Sequence, residues 1–252
     1  MSKVDEYRRT LRSLEHWDAY LLENSGLPGP RGNLELAQVV ADEGTPTLFE
    51  RYLALDHTRA PVNSSEEFLA FCGVLGQGQL LAAGDPQAAE RLRHFASDPR
   101  WRTREAVAMA LQHFGERDMD ALLQLMEVWS QGSLLEQRAA AAALCEPKLL
   151  AKPEHACQTL EILDQITASV ESSAERKSEN FRVLRQGLAY CWSVAVAAFP
   201  AEGKRRMSKW FSSPDADIRW IMRENLKKNR LTRMDPVWVA EGQACLEHQS
   251  QI

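Results

Sequence analysis

Apolar residues recur at three- and four-residue spacing along almost the whole chain, and no stretch alternates or gathers Val, Ile and Thr as half-buried strands do. The pattern predicts an all-α protein of roughly ten to twelve helices. Val4, Tyr7, Leu11, Leu14, Trp17 and Leu21 share one face of a first helix that stops at the breaker-rich NSGLPGPRGN, residues 24–33. Two more helices are expected at 34–42 and 46–56, split by Gly44 and Pro46. Ser64 or Ser65, with Glu67 close behind, opens a longer helix running to Gly84, and Asp85 and Pro86 begin the next. Gly73, Gly76 and Gly78 lie inside that helix. Each costs up to about 1 kcal/mol relative to Ala there, so the three imply close approach of a neighbouring helix or a kink.

Two later segments superimpose without gaps. DPRWRTREAVAMAL, residues 98–111, matches SPDADIRWIMRENL, residues 213–226, with Asp98/Pro99 on Ser213/Pro214, Arg104 on Arg219 and Leu111 on Leu226. LLEQRAAAAAL at 134–144 places Arg138 34 residues after Arg104, and NFRVLRQGLAYCWSVAV at 180–196 places Arg185 34 residues before Arg219. A helix pair recurring at this period is the mark of an α-solenoid. The cap, the Pro and an Arg opening a small-residue-rich second helix resemble HEAT repeats over residues 85–231. GPRGNLELA, EFLAFCGV, YCWSVAVAA and RWIMRENLKKNRL extend the likeness to bacterial HEAT-repeat proteins. The resemblance implies one right-handed α-α superhelix, a solenoid of HEAT-like helix pairs, over residues 1–252. Irregular N-terminal helices would occupy 1–84, repeats 85–231 and a C-terminal tail 232–252. In such a repeat the Pro sets the first turn, and the recurring Arg binds a carbonyl or carboxylate of the adjacent turn.

Composition changes this picture little. In 252 residues, 44% apolar and 26% charged, there is no apolar run long enough to span a bilayer and no secretory leader, so the expected address is cytoplasmic. Cys72, Cys145, Cys157, Cys191 and Cys245 form no C-x-x-C and read as buried thiols of a reducing compartment. No phosphate-binding loop, zinc-ligand spacing or nucleophile motif occurs. No catalytic residue, metal or small-molecule cofactor is therefore expected, nor a membrane partner.

Charge changes it more. Residues 204–233 hold ten Lys or Arg against three acids, a window of +7 that leaves the remainder of a −5 chain at −12. In a helix taken over 215–229, Ile218, Ile221, Met222, Asn225 and Leu226 form one side, with Arg219, Arg223, Lys227 and Arg230 as a basic stripe beside it. Glu224 can pair with Lys227 or Lys228. Helix-end complementation, a polar outer face on a terminal repeat, a polyanion surface and a contact with an acidic protein patch all account for such a stripe. The candidate contact residues are Arg104, Arg219, Trp220, Arg223, Lys227 and Arg230. Seven Trp on a helical array also resemble the HEAT-like glycosylases that excise alkylated purines, with Trp17 and Asp18 adjacent in HWDAYL. That family's Trp-and-Asp motif has no match here, and each Trp reads as packing between helices. The expected function is a non-enzymatic binding or scaffold protein offering a concave helical surface to a protein or polyanionic partner. The alternative is a DNA-binding or alkylation-repair protein.

Overall fold

The structure, a computed structural model, describes residues 2–248. Fifteen α-helices and two short 3₁₀ turns occupy these residues, with no strand among them. They fall into two compact units, with the chain dividing between Arg117 and Asp118.

The first unit holds α1 (Lys3–Ser13), α2 (Asp18–Asn24), α3 (Leu34–Glu43), α4 (Pro46–Leu53), α5 (Ser65–Ala82), α6 (Pro86–Phe95) and α7 (Trp101–Arg117). The single first helix expected from the apolar stripe is broken in two. Leu14 closes α1 in extended conformation and is exposed, and the Trp17 indole N–H donates to the Leu11 carbonyl at 2.9 Å. The indole thus joins the Leu14 amide, at 3.2 Å, on a carbonyl of the last turn. Ser64 caps α5 through the Glu67 amide, and Asp85 caps α6, whose first residue is Pro86.

Helix α5 is the centre of this unit: every residue from Glu67 to Gly78 is buried. Such a helix must be surrounded, and α3, α4, α6 and α7 do so. The three glycines answer to close approach. A Cβ at Gly73 would stand 2.7 Å from Tyr52 Cβ, one at Gly76 2.4 Å from the Phe49 ring, and one at Gly78 2.4 Å from the Ala110 carbonyl oxygen.

The second unit holds α8 (Met119–Ser130), α9 (Leu134–Leu144), α10 (Pro153–Glu171), α11 (Glu179–Ala198), α12 (Pro200–Ser208), α13 (Ala216–Leu226), α14 (Asn229–Met234) and α15 (Pro236–His248). Helices α8, α10 and α12 pack in sequence as one layer, and α9, α11, α13 and α15 as a second against it. Helices within a layer therefore meet their next-but-one neighbours, and α8 with α9 and α10 with α11 also pack as pairs. The short residues of RAAAAAL permit this: Ala139, Ala140, Ala141 and Ala143 are all buried. Within residues 232–252 a full helix, α15, buries Val239, Gly242 and Leu246, and Gly242 sits against Phe211 and Leu226.

Two expectations about helix ends are corrected. Pro99 and Pro214 lie before α7 and α13 rather than in their first turns, because Asp98 Oδ1 and Ser213 Oγ each first close a turn on the amide two residues ahead. The basic helix taken over 215–229 ends at Leu226, and Arg230 belongs to α14. Of the cysteines, Cys72, Cys145 and Cys191 are buried, but Cys157 is half-buried and Cys245 exposed, the latter on the outer side of α15. All five are free thiols, and burial pushes the Cys72 thiol up. Among the described residues no helix is long and apolar enough to cross a membrane.

Two glycine substitutions should move stability in opposite directions. Gly78→Ala gains helix propensity of about 1 kcal/mol but drives a Cβ into the Ala110 backbone, which cannot rotate away, and overpacking of about 1–3 kcal/mol is expected to win. In Gly187→Ala the nearest atom is the Arg138 Cγ at 3.4 Å, so the propensity gain survives. Urea midpoints should fall for the first variant and rise for the second.

Candidate functional site

The candidate residues divide by what holds them. Arg104 Nη1 donates to the carbonyls of Asp98 and Pro99 at 2.6 and 3.1 Å, and Arg219 Nη1 donates to those of Ser213 and Pro214 at 2.9 and 2.7 Å. The two side chains make the same staple across the same turn. Each satisfies two carbonyls that the helix entry leaves free, which is a structural task. Trp220 is half-buried beneath the Arg185 guanidinium, 4.3 Å from its ring centre, and Arg185 also pairs with Asp217.

Arg223 is half-buried and engaged within the fold. Lys227 is exposed and pairs with Glu224, as the spacing predicts. Arg230, on α14, donates to the Tyr190 hydroxyl at 2.6 Å and covers its ring at 4.9 Å, with Lys228 also over that ring at 5.8 Å. Arg104 belongs to the first unit, and the other five candidate residues to the second.

The remaining basic residues of the window are largely neutralised by acids outside it. Lys204 pairs with Asp235, Arg205 with Glu202, Arg206 with Glu202 and Glu161, and Lys209 with Asp164. The two arginines hold the Glu202 carboxyl down to about 2, Arg205 contributing most. A one-dimensional charge count misses this, because Glu161 and Asp164 come from the preceding layer helix, α10.

HWDAYL is likewise occupied. Asp18 accepts both Arg51 guanidinium nitrogens at 2.6 and 2.8 Å and the Tyr52 hydroxyl at 2.6 Å. Partial burial would raise its carboxyl, but these donors outweigh burial and lower it. Trp129, Trp192 and Trp210 are buried as packing residues, whereas Trp101 is 47% exposed and departs from that expectation.

Trp101 marks a site that the sequence reading passed over. It lines a cavity of about 230 Å³ in the first unit together with Leu27, Leu34, Phe68, Phe71 and Met109, with Arg31, Arg102 and Glu105 on the wall. The loop 25–33 forms one side. Asn63, at φ 66°, accepts the Gly29 amide at 3.0 Å, Arg102 donates to the Gly29 carbonyl at 2.9 Å, and Asn33 closes the loop on the Ser25 carbonyl at 2.8 Å. Arg102 is 6% exposed, lies 4.5 Å over the Trp101 ring, and pairs with the fully buried Glu67 at 3.1 Å. The signal available in the sequence was the GLPGPRG loop itself, which offers apolar residues and one Arg on a tight backbone.

Among the described residues no group of three or more His, Cys, Asp or Glu is placed to hold a metal ion. No known protein family matches this sequence, and no curated protein matches it.

The Glu202 cluster carries a pH dependence. Its folded-state carboxyl is depressed from 4.5 to about 2, so its contribution is present above about pH 4.5 and is lost as pH falls toward 2. Glu202→Gln should unfold at lower temperature than the parent chain at neutral pH, and that gap should close on acidification through this window. Thermal unfolding of both chains across the range checks it.

Proposed function

We propose that this chain is a non-enzymatic binding protein, with its helices organised as HEAT-like pairs in a right-handed α-α solenoid, and that it holds a protein partner. The local repeat of the Arg104 and Arg219 staples and the two-layer packing of the second unit support the solenoid reading.

The observation that carries the protein-partner reading is the character of the exposed aromatics. Trp101 and Tyr190, each 47% exposed, both lie under an arginine, Arg102 and Arg230 respectively. Trp, Tyr and Arg are the residue types that dominate binding energy at protein interfaces. Lys204, Arg205, Arg206, Lys209 and Lys227, by contrast, are already paired to carboxylates, and a phosphate backbone would have to displace them.

Lys228 and Arg230 around Tyr190 favour the alternative, a DNA-binding or alkylation-repair protein, since a cation beside an exposed ring suits a nucleotide. Duplex DNA separates the two. The protein-partner reading expects an affinity no tighter than the roughly 10⁻⁴ M end of non-specific binding at physiological salt, unchanged in the Arg223→Glu, Lys227→Glu double variant, and no release of methylated purines. One protein should be recovered stoichiometrically on cross-linking in the source cells, and its yield should fall in Tyr190→Ala. Salt-sensitive DNA binding that collapses in the double variant would overturn this reading in favour of the alternative.

A further inference from the structure

The cavity beside Trp101 has the features of a small-ligand site. Its interior is apolar: Leu27, Leu34, Phe68, Phe71 and Met109 supply aliphatic and aromatic surface. A volume of about 230 Å³ is larger than the roughly 150 Å³ in which an engineered apolar cavity holds benzene, so a single ring or branched aliphatic group with a short extension fits. A pocket of this kind, mainly apolar with a few convergent polar groups, takes an amphipathic ligand in a fixed orientation.

The polar groups on its wall are unequal. Glu105 is engaged within the fold. Arg102 is committed through its terminal nitrogens to Glu67, Gly29 and Asn63, but its buried Nε–H has no acceptor. That nitrogen is closed off even to water, so a molecule in the cavity does not reach it. Arg31 is exposed and makes no ion pair or hydrogen bond among the described residues. The uncommitted charge at the cavity is therefore a guanidinium, whose fork matches a carboxylate.

We propose that this cavity binds a small aromatic or branched-aliphatic carboxylic acid. The apolar group packs among Leu34, Phe68, Phe71 and Met109 beside the Trp101 ring, and the carboxylate is taken by Arg31. The site belongs to the first unit alone and stands whether or not the protein-partner reading does.

The test is a calorimetric titration of the full chain with 3-phenylpropionate, 4-methylpentanoate and the primary amide of each, with Trp fluorescence as a second readout. Saturable binding of at least one acid in the millimolar range or below is expected, about tenfold tighter than its amide, since a charge-assisted hydrogen bond contributes on that order. Arg31→Gln should remove the preference for the acid while leaving the amide's affinity unchanged. Leu34→Trp, which fills the cavity from a half-buried position, should abolish binding of both, with an unchanged far-UV spectrum showing that the helices remain. Absence of saturable binding by either acid overturns the site. Equal affinity for acid and amide, or a preference that survives Arg31→Gln, overturns the carboxylate assignment.

Discussion

A helix buried on every side dictates the first unit. From Glu67 to Gly78, α5 presents no solvent face, so its neighbours must cover it completely, and the residue at each contact decides how near they come. Glycine at 73, 76 and 78 brings α4 and α7 to backbone contact. Glu67, at the start of the helix, is fully buried, and Arg102 from α7 pairs with it. The same arginine then reaches the 25–33 loop, so the loop's position follows from the burial of α5. In the second unit α11 has the corresponding place between α9 and α13, with a polar fastening in place of glycine. The Asn225 side chain, fully buried, accepts the Ser193 amide at 2.8 Å and donates to the Leu188 carbonyl at 2.9 Å. In the repeat register Asn225 stands where α7 has Ala110, the residue that meets Gly78.

The packing of next-but-one helices explains where the charges go. Residues about one repeat apart become neighbours, and pairs such as Arg102–Glu67, Arg51–Asp18, Arg8–Glu43 and Lys204–Asp235 span 35, 33, 35 and 31 positions. A charge excess counted over thirty consecutive residues is therefore largely cancelled by the layers before and after it. Most of these pairs are partly exposed and individually contribute little, but together they fix which face of each helix can turn outward.

This also sets what the sequence could disclose. Helix class, most helix starts and the equivalence of Arg104 with Arg219 were legible, because caps, Pro positions and apolar spacing are local quantities. The break at Leu14 was not, since the stripe continues through Trp17 and the indole's bond to the Leu11 carbonyl forms only once the helix has stopped. The end of the basic helix at Leu226 was hidden in the same way: ENLKKNRL contains no Gly or Pro, yet the chain turns at Lys227 and Lys228 and buries Leu231 from a separate helix. The Trp101 cavity was illegible for a third reason. Its walls come from the 25–33 loop, α3, α5 and α7, and only the folded chain brings them together.

The two staple turns also show how one repeated geometry carries different side chains in the two units. Two residues before each staple arginine the register sets Arg102 against Asp217. Each side chain pairs back to the helix two earlier, Arg102 to Glu67 on α5 and Asp217 to Arg185 on α11, so the ion pair is kept with its signs exchanged. The exchange has consequences for what stands beside it. Asp217 joins Arg185 to Arg176, from the segment before α11, and Arg185 covers Trp220 from the opposite helix. An arginine at that position is long enough to hold Glu67, stack on Trp101 and fix the 25–33 loop at once. Reversing one ion pair within a repeated geometry thus places, in the first unit, a single side chain on the ion pair, the aromatic ring, the loop and the cavity wall together.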